Sequence, residues 1–285
     1  MGTATNPLAS IQLQLFPEQL TAEQHIRRLR GGSQSQLVRA SDGNYYVTKF
    51  LGNPQHDRIL ANEFFACRLG QILSLPVPDV AIIEVSEWLI EHTPDLCIEC
   101  VGGYRKPFSS GLHLASRFAG NPETDQILDY LQEELFAKVL NRTDFGRCLV
   151  LDKWISNADG RQAVFVRTRR GDGYLATFID QGYAFNAGEW SFPDLDLHGV
   201  YNRNYAYQNV TSWANFEPTL TLAEEMDQQE IWECAAPIPS EWCGPDAGAL
   251  PRLVESLYRR RSKIRDLITA FRTSSRDPFP NWTGN

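Results

Sequence analysis

Trp154-Ile155-Ser156-Asn157-Ala158-Asp159-Gly160-Arg161-Gln162 and Phe178-Ile179-Asp180-Gln181-Gly182-Tyr183-Ala184-Phe185 each run from apolar residues into an aspartate. The first stretch sets Asp159 in a loop after a helix, and the second sets Asp180 at the end of a strand. Two carboxylates so placed suit phosphoryl transfer, in which one orients the attacking hydroxyl and the other holds a metal on the nucleotide phosphates. Aspartate is common in loops. The pair gains weight from what lies upstream, in order: a Gly-Gly turn, a strand lysine and a helix glutamate.

The Gly-Gly turn is Arg30-Gly31-Gly32-Ser33-Gln34-Ser35. Glycines let backbone amides approach an anion closely, so Gly31, Gly32 and Ser33 are candidate phosphate contacts. No Gly-Lys-Ser/Thr opens a helix there, which excludes a P-loop. Residues 36–50 read as a hairpin turning at Ser41-Asp42-Gly43-Asn44, where Asp-Gly supplies positive φ. The return strand ends on Lys49 among apolar neighbours, where an amine needs a partner. A helix follows Asn53-Pro54 to about residue 72, with Leu60, Phe64 and Cys67 at helical spacing and Glu63 on the same flank. A strand lysine paired to a helix glutamate is one way to hold nucleotide phosphates.

Leu75-Pro76-Val77-Pro78 breaks that helix, and 80–85 and 96–101 read as strands. Gly102-Gly103 and Lys106-Pro107 read as a linker. Beyond it, 126–140, 144–156 and 250–271 carry helical spacing. A hairpin interrupts them, pairing 163–166 with 174–179. His25, Arg27, Arg28 and Arg30 read as a solvated helix face. Residues 1–20 read as peripheral. Sheet-rich first and helix-rich second is an α+β, two-lobed plan, with lobes over 1–110 and 111–285.

The bulk numbers restrict the function. The net charge of −8 over 285 residues argues against nonspecific nucleic-acid binding. No apolar stretch is long enough to span a bilayer and the start has no signal-peptide pattern, so a cytoplasmic protein without a membrane role is expected. Six scattered cysteines do not form a disulfide framework. Cys97 and Cys100 have metal-ligand spacing but no second pair, and read as buried thiols.

The order of these residues resembles the HipA-like kinases, a bacterial branch distantly related to protein kinases and phosphatidylinositol kinases. Gly31-Gly32-Ser33-Gln34 resembles the family's glycine-rich loop, and Val47-Thr48-Lys49-Phe50 its nucleotide-lysine strand. Asn62-Glu63 with Leu75-Pro76-Val77-Pro78 resembles its first-lobe helix and exit. Gly111-Leu112-His113-Leu114-Ala115-Ser116-Arg117 resembles a segment near the interlobe link. Asn157-Ala158-Asp159 resembles the catalytic loop, and Ile179-Asp180-Gln181-Gly182 the metal-binding turn. The resemblance covers most of 30–270. It implies a bilobal protein-kinase-like fold, ATP with Mg²⁺, and transfer to a hydroxyl acceptor, often serine or threonine of a protein.

The chain departs from the larger toxin members in two respects. It is expected to lack their additional N-terminal subdomain, so an antitoxin-like partner is not implied. The family's second metal ligand, an asparagine five positions after the catalytic aspartate, falls here on Val164. Two assignments follow. Either Gln162 supplies the missing oxygen beside Asp159 and Asp180, or Asp152 is the base and Asn157 the ligand. The first is preferred, because Asp152 falls within the expected helix. The rival function is a pseudokinase, a nucleotide-binding scaffold acting through protein contacts, and Val164 is its support. Ser33 and Ser35 lie in the glycine-rich loop, where their phosphorylation would put negative charge in the place of nucleotide phosphates.

Overall fold

A computed structural model describes residues 19–100, 102–168 and 171–284. Most of the segment expected to be peripheral, up to residue 18, lies outside them. The chain opens with β1 (Ala22–Arg28), β2 (Gln36–Ala40) and β3 (Tyr45–Lys49), then α1 (Ile59–Ile72) and β4 (Val80–Val85). A short helix α2 (Glu87–Glu91) precedes a two-stranded ribbon, β5 (Cys97–Glu99) and β6 (Arg105–Pro107). β7 (Gly111–Arg117) then returns to the first sheet, whose order is β1-β2-β3-β7-β4.

Gly102 and Gly103 turn the β5–β6 ribbon and are not an interlobe linker, since Cys97 registers with Pro107 and Glu99 with Arg105. The first sheet also extends past residue 110, because β7 pairs with both β3 and β4. The crossing to the second half therefore starts after Arg117. The basic run His25–Arg30 is largely strand, not helix. His25 Nε2 meets Gln36 Oε1 at 2.9 Å across the pair, and Arg28 bonds Glu99 at 2.8 Å. Charged side chains suit this strand because it is an edge, where they discourage pairing with another chain.

The second half holds β8 (Ile127–Leu128), α3 (Glu133–Phe136), α4 (Asp144–Trp154), and the hairpin β9 (Gln162–Arg167) and β10 (Tyr174–Ile179). α5 (Thr219–Glu225), α6 (Gln228–Ala235), α7 (Ala249–Arg260) and α8 (Ile264–Arg272) complete it. Two expected helices differ. Only Glu133–Phe136 is helical within 126–140, because Ile127 and Leu128 pair with Val166 and Phe165 on β9. An unpaired sheet edge outweighed a helical spacing of apolar residues. The helix expected over 250–271 breaks at Arg261–Lys263, where the Arg261 guanidinium leaves the helix to bond the carbonyls of Glu224 and Met226.

α1 is buried on nearly every side, the pattern of a helix enclosed by protein. It packs beneath the first sheet through Leu114, while Phe64 meets Trp242 and Phe65 meets Phe185 of the helical half. One hydrophobic core thus runs from the sheet into the helices. A smaller core of Val38, Tyr46, Phe50, Ile83 and Phe108 fills the other face of the sheet. Cys97 is buried, but Cys100 is exposed, contrary to its reading as a buried thiol. Among the described residues no helix is long and apolar enough to cross a membrane.

His113 on β7 joins the small core. It accepts from the Leu51 amide at 3.1 Å, contacts the Ser109 carbonyl at 2.9 Å and lies 4.6 Å from the Phe50 ring. Burial pushes its pKa from 6.5 down to about 4. The unfolded chain protonates this histidine below its ordinary value, whereas the folded chain keeps it neutral to about 4. Falling pH over that window therefore favours unfolding, by about 3 kcal/mol in total. Urea titrations at stepped pH should show this loss, and His113→Gln should flatten it.

Candidate active site

Lys49 closes β3 with its side chain turned inward, and only 4% of it is exposed. A buried amine is tolerable only when paired. Its Nζ contacts the Glu63 carboxylate from α1, and Asp180 Oδ1 lies 2.7 Å away. Burial works against the charged amine, but Glu63 and Asp180 together hold its pKa above the ordinary lysine value. Glu63 is fixed in turn by the Ser116 hydroxyl of β7, which donates at 2.9 Å. Sheet, helix and hairpin thus each contribute one group to a single charged cluster.

Asp180 follows β10 with φ +59°, the left-handed region that aspartate tolerates better than most residues. Burial would raise its pKa, but Lys49 holds it below the usual carboxylate range. Gly182 lets this turn press against α1, since a Cβ there would come 2.5 Å from Ile59 Cγ1. The Asn62 amide clamps the same turn by donating to the carbonyls of Gly182, Ala184 and Ala187.

The loop bearing Asp159 is laced to this turn by backbone bonds. The Ala158 amide donates to Tyr183, Phe185 to Ile155 and Asn186 to Ser156, at 2.7–3.1 Å. Asp159 is exposed and is not among the residues that line the cavity, and the Gln162 amide stands between the two aspartates. Gln162 Nε2 is 3.4 Å from Asp159 Oδ2 and 3.4 Å from Asp180 Oδ2. Asn157 is buried behind the loop. It donates to Asp152 Oδ1 at 3.0 Å and accepts from the Asp159 amide at 3.3 Å, so it supports the loop instead of facing the cleft. Asp152 is also buried, in a two-pronged ion pair with Arg161 whose Nε–Oδ2 distance is 2.9 Å. The frame with Asp152 as base and Asn157 as ligand therefore has both groups facing each other within protein.

A cavity of about 750 Å³ opens between the first sheet and the β9–β10 hairpin. Lys49, Glu63, Gln162 and Asp180 line its charged end, and Val47, Pro78, Phe118 and Val164 line an apolar wall. Ser33 and Ser35 reach the cavity from the glycine-rich loop, with their hydroxyls 2.9 Å apart. Gly31 takes φ +126°, which a side chain would oppose, while Gly32 packs near the Gln55 side chain. The two glycines set the path of the loop and only Ser33 of the three lines the cavity. Two contributors to the lining escaped the sequence reading, Arg161 and Ser116. Arg161 is buried two positions after the exposed Asp159, and nothing in its local sequence signals that burial.

The fold is that of known kinases. The Helicobacter pylori proinflammatory kinase CtkA superposes with a TM-score of 0.55 at 14% identity, over 88% of this chain and 95% of that one. Hydra Fam20 with sugar gives 0.51 at 12% identity, over 94% and 88%. The Golgi casein kinase with Mn/ADP bound gives 0.50 at 11% identity, over 90% and 73%. Identities this low establish the fold alone. No sequence match is found among curated proteins. The sequence model of the HipA-like kinases matches residues 23–260, nearly the whole of the described chain, and the protein belongs to that family.

Proposed function

We propose that the chain is an ATP-dependent kinase that transfers the γ-phosphoryl group to a hydroxyl, with serine or threonine of a protein as acceptor. The observation that supports this most is the junction of Lys49, Glu63 and Asp180 at the head of a cleft with an apolar wall. In this reading Lys49 meets the nucleotide phosphates, Glu63 orients it, and the apolar wall holds the base. The turn through Gly31, Gly32 and Ser33 covers the phosphates. Asp159, exposed beside Gln162, orients the acceptor hydroxyl. Rate enhancement then comes from positioning and charge neutralisation, with no covalent enzyme intermediate.

The donor set also fits Mg²⁺. Among the described residues no three His, Cys, Asp or Glu side chains converge on one point. That suits an ion held by one or two carboxylates plus substrate phosphates better than one caged by protein. Asp180 would hold it, with Gln162 as second ligand. A half-turn of the Gln162 amide presents its oxygen where the nitrogen now lies. When bound, the ion supplies positive charge against the phosphates.

γ-Phosphate transfer from labelled ATP tests the proposal. Asp159→Ala should lower transfer by about 10²–10⁴-fold. Thermal stabilisation by Mg-ATP should persist, about 2.7 kcal/mol at a hundredfold excess over the dissociation constant. Unchanged transfer would remove Asp159 from the mechanism. Val164, buried on the cleft wall where the family carries asparagine, favours the pseudokinase as second reading. That reading predicts stabilisation by nucleotide with no transfer in the wild-type protein.

A further inference from the structure

The cleft continues past the Asp159 loop. A second cavity, of about 610 Å³, shares Tyr130, Asn202 and Arg203 with the first, so the two form one groove. A later stretch, residues 199–203, is hydrogen-bonded to the Asp159 loop and leads into the groove. The Gly199 amide donates to the Asp159 carbonyl at 3.2 Å, and the Arg161 amide to Val200 at 3.0 Å. Tyr201 then bridges to Arg161, which brings Asn202 and Arg203 out beside the loop. A hydroxyl held at Asp159 would place its flanking residues along this stretch.

The charge there is opposite to that of the chain. Arg203 lies over the Tyr130 ring at 5.5 Å and has no ion-pair partner among the described residues. Arg276 is propped by Asn204 Oδ1 at 2.9 Å and the Tyr201 carbonyl at 3.4 Å, also without a carboxylate. Among the described residues Glu133 is the one acid lining the second cavity, against two guanidinium groups, and Asp129 lines the first beside Tyr130. Such a site is unusual on a chain of net charge −8. Guanidinium groups pair with carboxylates in charge-assisted hydrogen bonds. The amides of Asn202 and Gln208 offer both donors and acceptors, which match an extended peptide backbone.

Resting on the kinase reading, we infer that this groove is the acceptor subsite and selects peptide segments with Asp or Glu a few residues from the acceptor hydroxyl. The Arg203 and Arg276 guanidinium groups read the acids, and Asn202 and Gln208 hold the backbone.

Fluorescence anisotropy on the full chain tests this with two labelled peptides, a serine flanked by glutamates and the same serine flanked by lysines. The acidic peptide should bind at least about tenfold tighter, and added salt should narrow the gap. Arg203→Glu should reverse the order. Arg203→Gln, which keeps an uncharged polar side chain there and leaves Arg276 in place, should only narrow the gap. Equal affinities, an order indifferent to Arg203→Glu, or no peptide binding would overturn the inference. So would Arg203-dependent binding to anionic phospholipid vesicles in place of the peptide. The same peptides with Mg-ATP separate the two claims. A retained charge order with no phosphate transfer sinks the kinase reading alone, and transfer to both peptides at equal rates sinks the subsite alone.

Discussion

Asp180→Asn should reduce ATP turnover by about 10²–10³-fold while the protein remains folded. The side chain keeps its size, and asparagine accepts the left-handed backbone at this position as readily as aspartate. Lys49 keeps Glu63 as its partner, so no buried amine is left unpaired. Two functions are lost together: the carboxylate that would hold the metal, and the anion 2.7 Å from Lys49 that would turn its amine toward the phosphates. The Asp180 side chain is 29% exposed, so its removal disturbs stability far less than activity. Turnover and a urea midpoint measured on the same preparation check both halves. Turnover within a factor of a few of wild type would remove Asp180 from the site.

Asp152→Ala should have the opposite profile, destabilising the fold by about 3–5 kcal/mol. The carboxylate is buried and takes both prongs of the Arg161 guanidinium, together with the Asn157 amide. Its removal strands a buried cation, and charge pairing with Asp152 is what holds the Arg161 pKa above its ordinary value against burial. Arg161 also bonds the Ile179 carbonyl at 3.0 Å, so the loss reaches the turn that carries Asp180. Denaturant unfolding of Asp152→Ala beside Asp159→Ala separates the two candidate bases. A stable Asp152→Ala protein with turnover lost would make Asp152 the base.

What could be read from the sequence depended on how local the cause was. The β9–β10 hairpin and the strand ending in Lys49 were legible because alternation and turn residues sit within a few positions. The pairing of Lys49 with Glu63 was legible as well, since the strand and helix carrying them each announce themselves, whereas the direct ion pair of Lys49 with Asp180 was not read. The segment 126–140 was not, because its conformation answers to the open edge of β9, a feature absent from its own residues. The charges of β1 fit an exposed helix and an exposed edge strand equally well; pairing with β2 decides between them. The Asp152–Arg161 pair was hidden because an apolar context gives no sign of which aspartate keeps its charge inside. Arg203 and Arg276 come together only through the turn that ends in the Asn204–Arg276 contacts, which no spacing rule connects.

Every role proposed for these residues requires one nucleotide pocket shared by the two halves. A crystal structure with Mg²⁺ and a nonhydrolysable ATP analogue tests it most directly. The triphosphate should lie against Lys49 beneath the Gly31–Ser33 turn, with the ion on Asp180 and the γ-phosphate facing Asp159. A nucleotide bound elsewhere, or a cleft left empty at saturating analogue, would contradict it.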